Sequence, residues 1–166
     1  DASNVKQLAL SATMYATDYD DVMPISTGRS ATGQYGYNFI KFVPADWTTS
    51  DPNRIQFSLG HTDNIVQPYM KNYDILEAPG APAVDPSATV AGYPIAANKK
   101  KEDTTYAYNG LLMGYSQSSV AAVANLPMYT LANGYAKGRG TGMANPALVC
   151  DQVNQSCTYV PYVGGC

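Results

Sequence analysis

Charge is scarce in this sequence. Only 14% of its 166 residues are Asp, Glu, Lys or Arg, against about 25% in an ordinary soluble domain. The 10 basic residues do not outnumber the 13 acidic ones, and the net charge is −3. That excludes the clustered excess of Lys and Arg that a nucleic-acid footprint requires, so no nucleic acid is expected as a partner. The one basic run, Lys99-Lys100-Lys101, is followed at once by Glu102 and Asp103 and reads as a solvated turn. Histidine is rarer still, with His61 the only one. Acid–base catalysis, a Cys–His nucleophile and a zinc site are thereby left with a single His between them. Standing before Thr62-Asp63-Asn64, His61 reads as a capping or surface residue. HExxH, GxSxG and P-loop patterns are missing. The glycine-rich Gly138-Arg139-Gly140-Thr141-Gly142 lacks phosphate-loop spacing and reads as a flexible turn. No catalytic constellation remains, and the chain is expected not to be an enzyme. It contains no run of 18 apolar residues and no signal-peptide pattern, as expected of a mature or trimmed product. With neither a repeat period nor a linker, residues 1–166 are expected to form one domain.

What is present is apolar and aromatic material. Hydrophobic residues make up 45% of the chain, enough for a packed core and too much for intrinsic disorder. Fourteen Tyr, 14 Gly and 11 Pro stand beside one Trp and three Phe. Tyr buries its ring and keeps its hydroxyl wet, which suits a loop-rich protein outside the cell or one made to touch something. The three Cys all follow position 149 and also favour an oxidising compartment.

The clearest local pattern is at the start. Val5, Leu8, Ala12, Tyr15 and Tyr19 recur at helical spacing and form one packing face, widened by Ala9 and Ala16. Lys6, Gln7, Ser11, Thr13 and Asp18 fall largely on other faces. Asp1 or Ser3 could cap this helix, and a helix continuing from further upstream explains its abrupt opening equally well. Its end is expected near Asp20-Asp21, because Pro24 biases Met23 away from helical backbone. Residues 26–60 read as a long irregular loop with a short strand at 37–42. A short helix is expected at 62–72, capped by Thr62 or Asp63 and interrupted at Pro68. Strands are expected at 75–78, 104–109 and 128–132, with a short helix from Ser116 or Ser118 through 123. The expected fold is α+β, a long N-terminal helix packed on a loop-rich antiparallel sheet.

The tail reads as a hairpin. Ala147–Cys150 and Cys157–Val160 flank the polar turn Asp151–Ser156. Two antiparallel strands joined this way place Cys150 opposite Cys157, and a disulfide between them is the favoured pairing. Cys157–Cys166 is the rival, and Cys150–Cys166 is the least favoured. Asn154-Gln155-Ser156 matches a glycosylation sequon and carries no weight. Asp18, Asp20 and Asp21 cluster where the first helix ends, and negative charge there calls for compensation. A backbone amide or Arg29 ranks ahead of an ion. Calcium is the ion such carboxylates suit, although the spacing matches no EF-hand, and no cofactor or metal is otherwise expected.

Ser3-Asn4-Val5-Lys6-Gln7-Leu8-Ala9-Leu10, then Met14-Tyr15-Ala16-Thr17-Asp18-Tyr19-Asp20-Asp21 and Pro24, resemble the type IV pilin-like proteins and pseudopilins of bacteria. In those chains a similar segment follows the membrane-spanning half of the N-terminal helix. Ile65–Asn72 with Ile75–Pro79, and Thr105–Gly110 with Val120–Leu126, resemble two later segments of the family, in the same order. The resemblance covers about residues 3–130. It departs from many relatives at Ala78, where they carry Cys, and in a tail that holds Cys150, Cys157 and Cys166 instead of their usual signature.

The resemblance implies a pilin-like fold, with residues 1–21 as the C-terminal half of the helix and 22–166 as the head. It implies a precursor anchored in the inner membrane by an apolar helix half, then trimmed and methylated at its mature N-terminus by a prepilin peptidase. Assembly would be with copies of itself, in a helical filament built by pilus or secretion machinery. The location would be the cell surface, the periplasm or the extracellular space. The competing expectation is an extracellular binding module that holds a glycan, a metal or a secreted substrate on the aromatic stretch 35–47.

Overall fold

The computed structural model describes residues 2–26, 28, 40–48, 52–84, 95–121, 125–132, 137–149 and 158–160. It is mixed: one long helix, several short ones and small sheets, compatible with an α+β layout. Among the described residues no helix is long and apolar enough to cross a membrane.

Helix α1 runs Ala2–Asp18 and packs on the core through Leu8, Ala12 and Ala16. It ends two residues earlier than Pro24 alone would require. Asp20 and Asp21 both take left-handed backbone, with φ of 52° and 67°, and the Asp21 N–H returns to the Ala16 carbonyl at 2.8 Å. Asp tolerates that region better than most residues, so two consecutive Asp make an effective helix stop.

Strand β1 is Ile40–Phe42, inside the 37–42 window; 37–39 lie outside the described residues. The expected loop also contains a helix, α2 at Pro52–Leu59. Pro52 occupies its first position, where a missing N–H costs nothing. Its one fully buried residue is Ser58, whose Oγ accepts the Phe42 N–H at 2.8 Å. The helix buries a hydroxyl instead of an apolar stripe, so periodicity did not reveal it.

The expected helix at 62–72 is two short helices, α3 at Thr62–Ile65 and α4 at Gln67–Met70. The break falls at Val66, and Pro68 sits in the first turn of α4, where its ring is tolerated. The cap of α3 is His61, correcting Thr62 and Asp63. Residues 73–76 form a 3-10 turn, correcting the strand expected at 75–78. Asn72 caps it by accepting the Asp74 N–H at 3.0 Å, an Asx turn.

Strand β2 is Ala83–Val84, β3 is Asp103–Thr104, β4 is Tyr106–Tyr108 and β5 is Tyr129–Leu131. β6 is Lys137–Arg139, β7 is Thr141–Met143, β8 is Ala147–Val149 and β9 is Thr158–Val160. The strand expected at 104–109 is split at Thr105, which faces the 3-10 turn instead. Its N–H donates to the Leu76 carbonyl at 2.8 Å, and its Oγ1 accepts the Ala78 N–H at 3.0 Å. The short helix expected near 116–123 is a 3-10 turn at Gln117–Ser119. Residues 122–124 lie outside the described residues.

One continuous antiparallel sheet is not what these strands form. β1 pairs with β7, β4 with β5 and β8 with β9, each antiparallel. β6 sits between β2, to which it is parallel, and antiparallel β3. A core of Leu8, Val66, Leu76, Tyr106, Tyr108 and their neighbours lies between α1 and the strands. Phe42 and Trp47 form a second, smaller cluster with ring centroids 5.0 Å apart.

Candidate functional site

Three ionisable side chains in strongly perturbed surroundings lie where α3, β1 and β7 meet. His61 is 0% exposed and Asp63 1%. His61 has the extended backbone of a cap residue, and its Nδ1 accepts the Asp63 N–H at 3.3 Å. Asp63 Oδ2 lies 3.5 Å from the same nitrogen. The β7 backbone closes over both. A Cβ on Gly142 would lie 2.2 Å from Asp63 Oδ2 and 2.9 Å from His61 Cε1. Lys41 on β1, also buried, is in register with Gly142.

Burial decides the charge of each group. It pushes the Asp63 carboxyl up to about 8. It pushes the His61 imidazole down to about 3, aided by the Lys41 cation. It pushes Lys41 down to about 7, aided by Arg54. The nearby Tyr73 phenol is raised to about 12, chiefly by burial and then by the Asp63 charge. Among the described residues, His61 Nε2, Asp63 Oδ2 and the Tyr108 and Tyr129 hydroxyls have no hydrogen-bond partner. His61 was expected to cap or to sit at the surface. It caps, and it is enclosed. Lys41 and Asp63 as a buried group were missed. Lys41 left no signal, because a lysine between Ile40 and Phe42 in a strand candidate reads as the solvent-facing position of an alternating pattern.

Asn64, beside this pair, ties four segments. Its Nδ2 donates to the Phe42 and Ser58 carbonyls, both at 2.8 Å. Its Oδ1 accepts the Ala45 N–H at 3.1 Å and the Tyr73 hydroxyl at 3.3 Å. A side-chain amide has two N–H donors and two lone pairs, and all are in use.

Hydrogen-bond donors of the protein meet two carboxylates of the acidic turn, those of Asp18 and Asp21. Asp21 accepts the Ser116 hydroxyl at 2.5 Å, the Ser118 hydroxyl at 2.6 Å and the Ser118 N–H at 3.1 Å. Those bonds, Ser116's foremost, hold its carboxyl below the usual range. Asp18 accepts the Tyr69 hydroxyl at 2.8 Å. Two serine hydroxyls and an amide thus compensate the helix end; Arg29 lies outside the described residues. Among the described residues no group of three His, Cys, Asp or Glu is arranged around a metal-sized site, at Asp18, Asp20 and Asp21 or elsewhere.

On α1, Leu8 and Ala12 are fully buried, and Val5 and Tyr15 are partly buried against the core. Tyr19 departs from the expected face. It follows the end of α1 and is 54% exposed, with its ring stacked on Tyr15 at 4.2 Å. Ala16 takes its place in the core, and Ser11, expected elsewhere, is buried too. The Ser11 hydroxyl is satisfied by the Gln7 carbonyl at 2.8 Å. On the opposite side, Leu10 is 57% and Met14 45% exposed.

The glycine-rich segment is not a flexible turn. It forms β6, β7 and the tight link between them. Lys99 and Lys100 pair with Asp46 and Glu102 at 2.8 and 3.1 Å, as a solvated turn would. Lys101 departs from that reading, its ammonium lying 4.9 Å from the centre of the buried Trp47 ring. Of the aromatic stretch, Phe42 and Trp47 are buried and offer no ring to a ligand; 35–39 lie outside the described residues. Cys150, Cys157 and Cys166 also lie outside them, although the flanking strands pair as expected, Val149 opposite Thr158. No family model matches the chain, and no match is found among curated proteins or solved structures.

Proposed function

We propose that the chain is a structural subunit of an extracellular or periplasmic filament, of the type IV pilus or type II secretion pseudopilus kind. Its work would be secretion, adhesion or surface assembly. Three segments in the family's order support the reading. The observation that carries it is the two-sidedness of α1. One face is committed to the head through Leu8, Ala12 and Ala16. The other presents Leu10 and Met14, one helical turn apart, and the exposed positions of α1 carry only Lys6 and Asp18 as charges. A face that sets two exposed large apolar side chains among mostly neutral polar ones suits burial against copies of the same chain. Repeated head-to-tail contacts that do not close give a filament. On this reading the precursor reaches the inner membrane through an apolar helix half, and the assembly machinery acts on it there.

The full-length gene product, expressed with its assembly machinery, should yield filaments visible by electron microscopy. A Leu10→Lys, Met14→Lys variant should lose filaments while the isolated domain melts unchanged. Filaments that persist in that variant, or a tight closed oligomer of the isolated domain, would overturn the reading. The gene sequence upstream adds a second check. A basic leader and an apolar stretch of about 20 residues favour the filament, and a conventional signal peptide favours a binding module.

A further inference from the structure

His61 Nδ1 stands between two groups of one residue, the Asp63 N–H at 3.3 Å and Asp63 Oδ2 at 3.5 Å. An imidazole nitrogen that accepts an amide hydrogen carries no proton of its own. The same nitrogen therefore meets the carboxyl oxygen as an electron-rich atom with no hydrogen to offer it. With both side chains enclosed, no solvent screens the repulsion between that nitrogen and an ionised carboxyl oxygen. A proton on the carboxyl removes the charge, and with it that repulsion.

The surroundings offer Asp63 little else. β7 presents the backbone of Gly142, against which the carboxyl is wedged. From β1 comes Lys41, and among the described residues no ion pair joins it to Asp63. Arg54 of α2 acts on Lys41. Tyr73 from the 3-10 turn and Tyr129 from β5 both sense the Asp63 charge, and Tyr108 of β4 senses Tyr15. α4 contributes Tyr69, whose hydroxyl is turned to Asp18.

We propose that Asp63 is held as the neutral acid at neutral pH, and that the uncharged carboxyl lets α3 seat against the Gly142 backbone of β7. When the proton leaves for solvent, an unpaired carboxylate is left against the Gly142 backbone and the contact loosens. Burial of the pair acts in the same direction, favouring the neutral form of both groups.

The unfolded chain releases this proton near the ordinary value of 3.8 and the folded chain near about 8. Asp63 therefore lowers stability as pH rises between those values. His61 works the other way below 6.5, where the unfolded chain takes up a proton that the folded imidazole refuses. Lys41 also works the other way, from about 7 upward. These slopes overlap, so the test must read the carboxyl itself. In carboxyl-carbon NMR of the wild-type domain, one aspartate should remain in its acid form at neutral pH, where ordinary aspartates are ionised. Through-bond correlation should assign it to Asp63, and Asp63→Asn should remove it. Amide exchange at 61–66, corrected for the intrinsic pH effect, should accelerate as this carboxyl ionises. Aspartates all ionised at neutral pH, an acid signal assigned elsewhere, or exchange at 61–66 indifferent to the titration would each overturn the proposal.

Discussion

The indole N–H of Trp47 donates to the Gly140 carbonyl at 2.6 Å, and the indole occupies the space where a Gly140 side chain would stand. A Cβ there would lie 2.9 Å from Trp47 Cε2, and φ at Gly140 is 68°. Gly140→Ala should therefore be destabilising twice over, by left-handed strain of about 1–2 kcal/mol and by overpacking of about 1–3 kcal/mol. Trp47 is the only Trp, so its fluorescence in a urea titration reads the loss directly. A midpoint equal to wild type would mean that the β6–β7 link is not anchored on the indole.

Leu8 and Leu10 are two residues apart and meet opposite fates. Leu8→Asp should unfold the domain, because a buried unpaired charge costs several kcal/mol. Leu10→Asp should leave the melting temperature nearly where it was. Circular dichroism of the two variants decides, and equal melting would deny that the Leu8 face is core.

Asp21 should set part of the acid limit of stability. Its folded value is lowered by Ser116 and Ser118. The stability it contributes is present above the ordinary carboxylate value of 3.8 and is lost as pH falls through the lowered folded value. Asp21→Ala should lower the melting temperature at neutral pH and flatten the decline on the acid side. A variant that keeps the wild-type acid profile would show that the serine contacts contribute nothing.

Val149 opposite Thr158 is the last described rung of the β8–β9 ladder, and the next residues inward along the sequence are Cys150 and Cys157. A disulfide between these two is expected, contributing about 2–3 kcal/mol in the chain-entropy model. Peptide mapping without reduction should recover the two segments linked. A Cys157–Cys166 fragment would reverse the assignment, and three free thiols would remove the argument for an oxidising compartment.

Helix α1 was legible because its buried residues repeat at helical spacing, and Tyr129–Leu131 and the β8–β9 pair because their apolar runs are bounded by turn residues. Tyr19 was misplaced because periodicity does not see a left-handed stop at Asp20-Asp21. α2 was hidden because its buried residue is Ser58, and the 3-10 turn at 73–76 because Tyr-Asp-Ile-Leu has the composition of a strand and the cap of a turn. The His61–Asp63 pair was legible only as a cap. What encloses it is Gly142, nearly 80 residues away in sequence, and a close backbone approach leaves no mark except the absence of a side chain.

No strand among the described residues exceeds three residues. Exposed ladder edges of that length give a neighbouring chain almost nothing to extend. Among the described residues, side chains such as Asn64, Ser58 and Thr105 supplement these short ladders in tying the segments together. In the packed filament we propose, these described edges would give neighbouring copies little to extend into a shared, amyloid-like sheet, and contacts would fall to faces chosen by side chains.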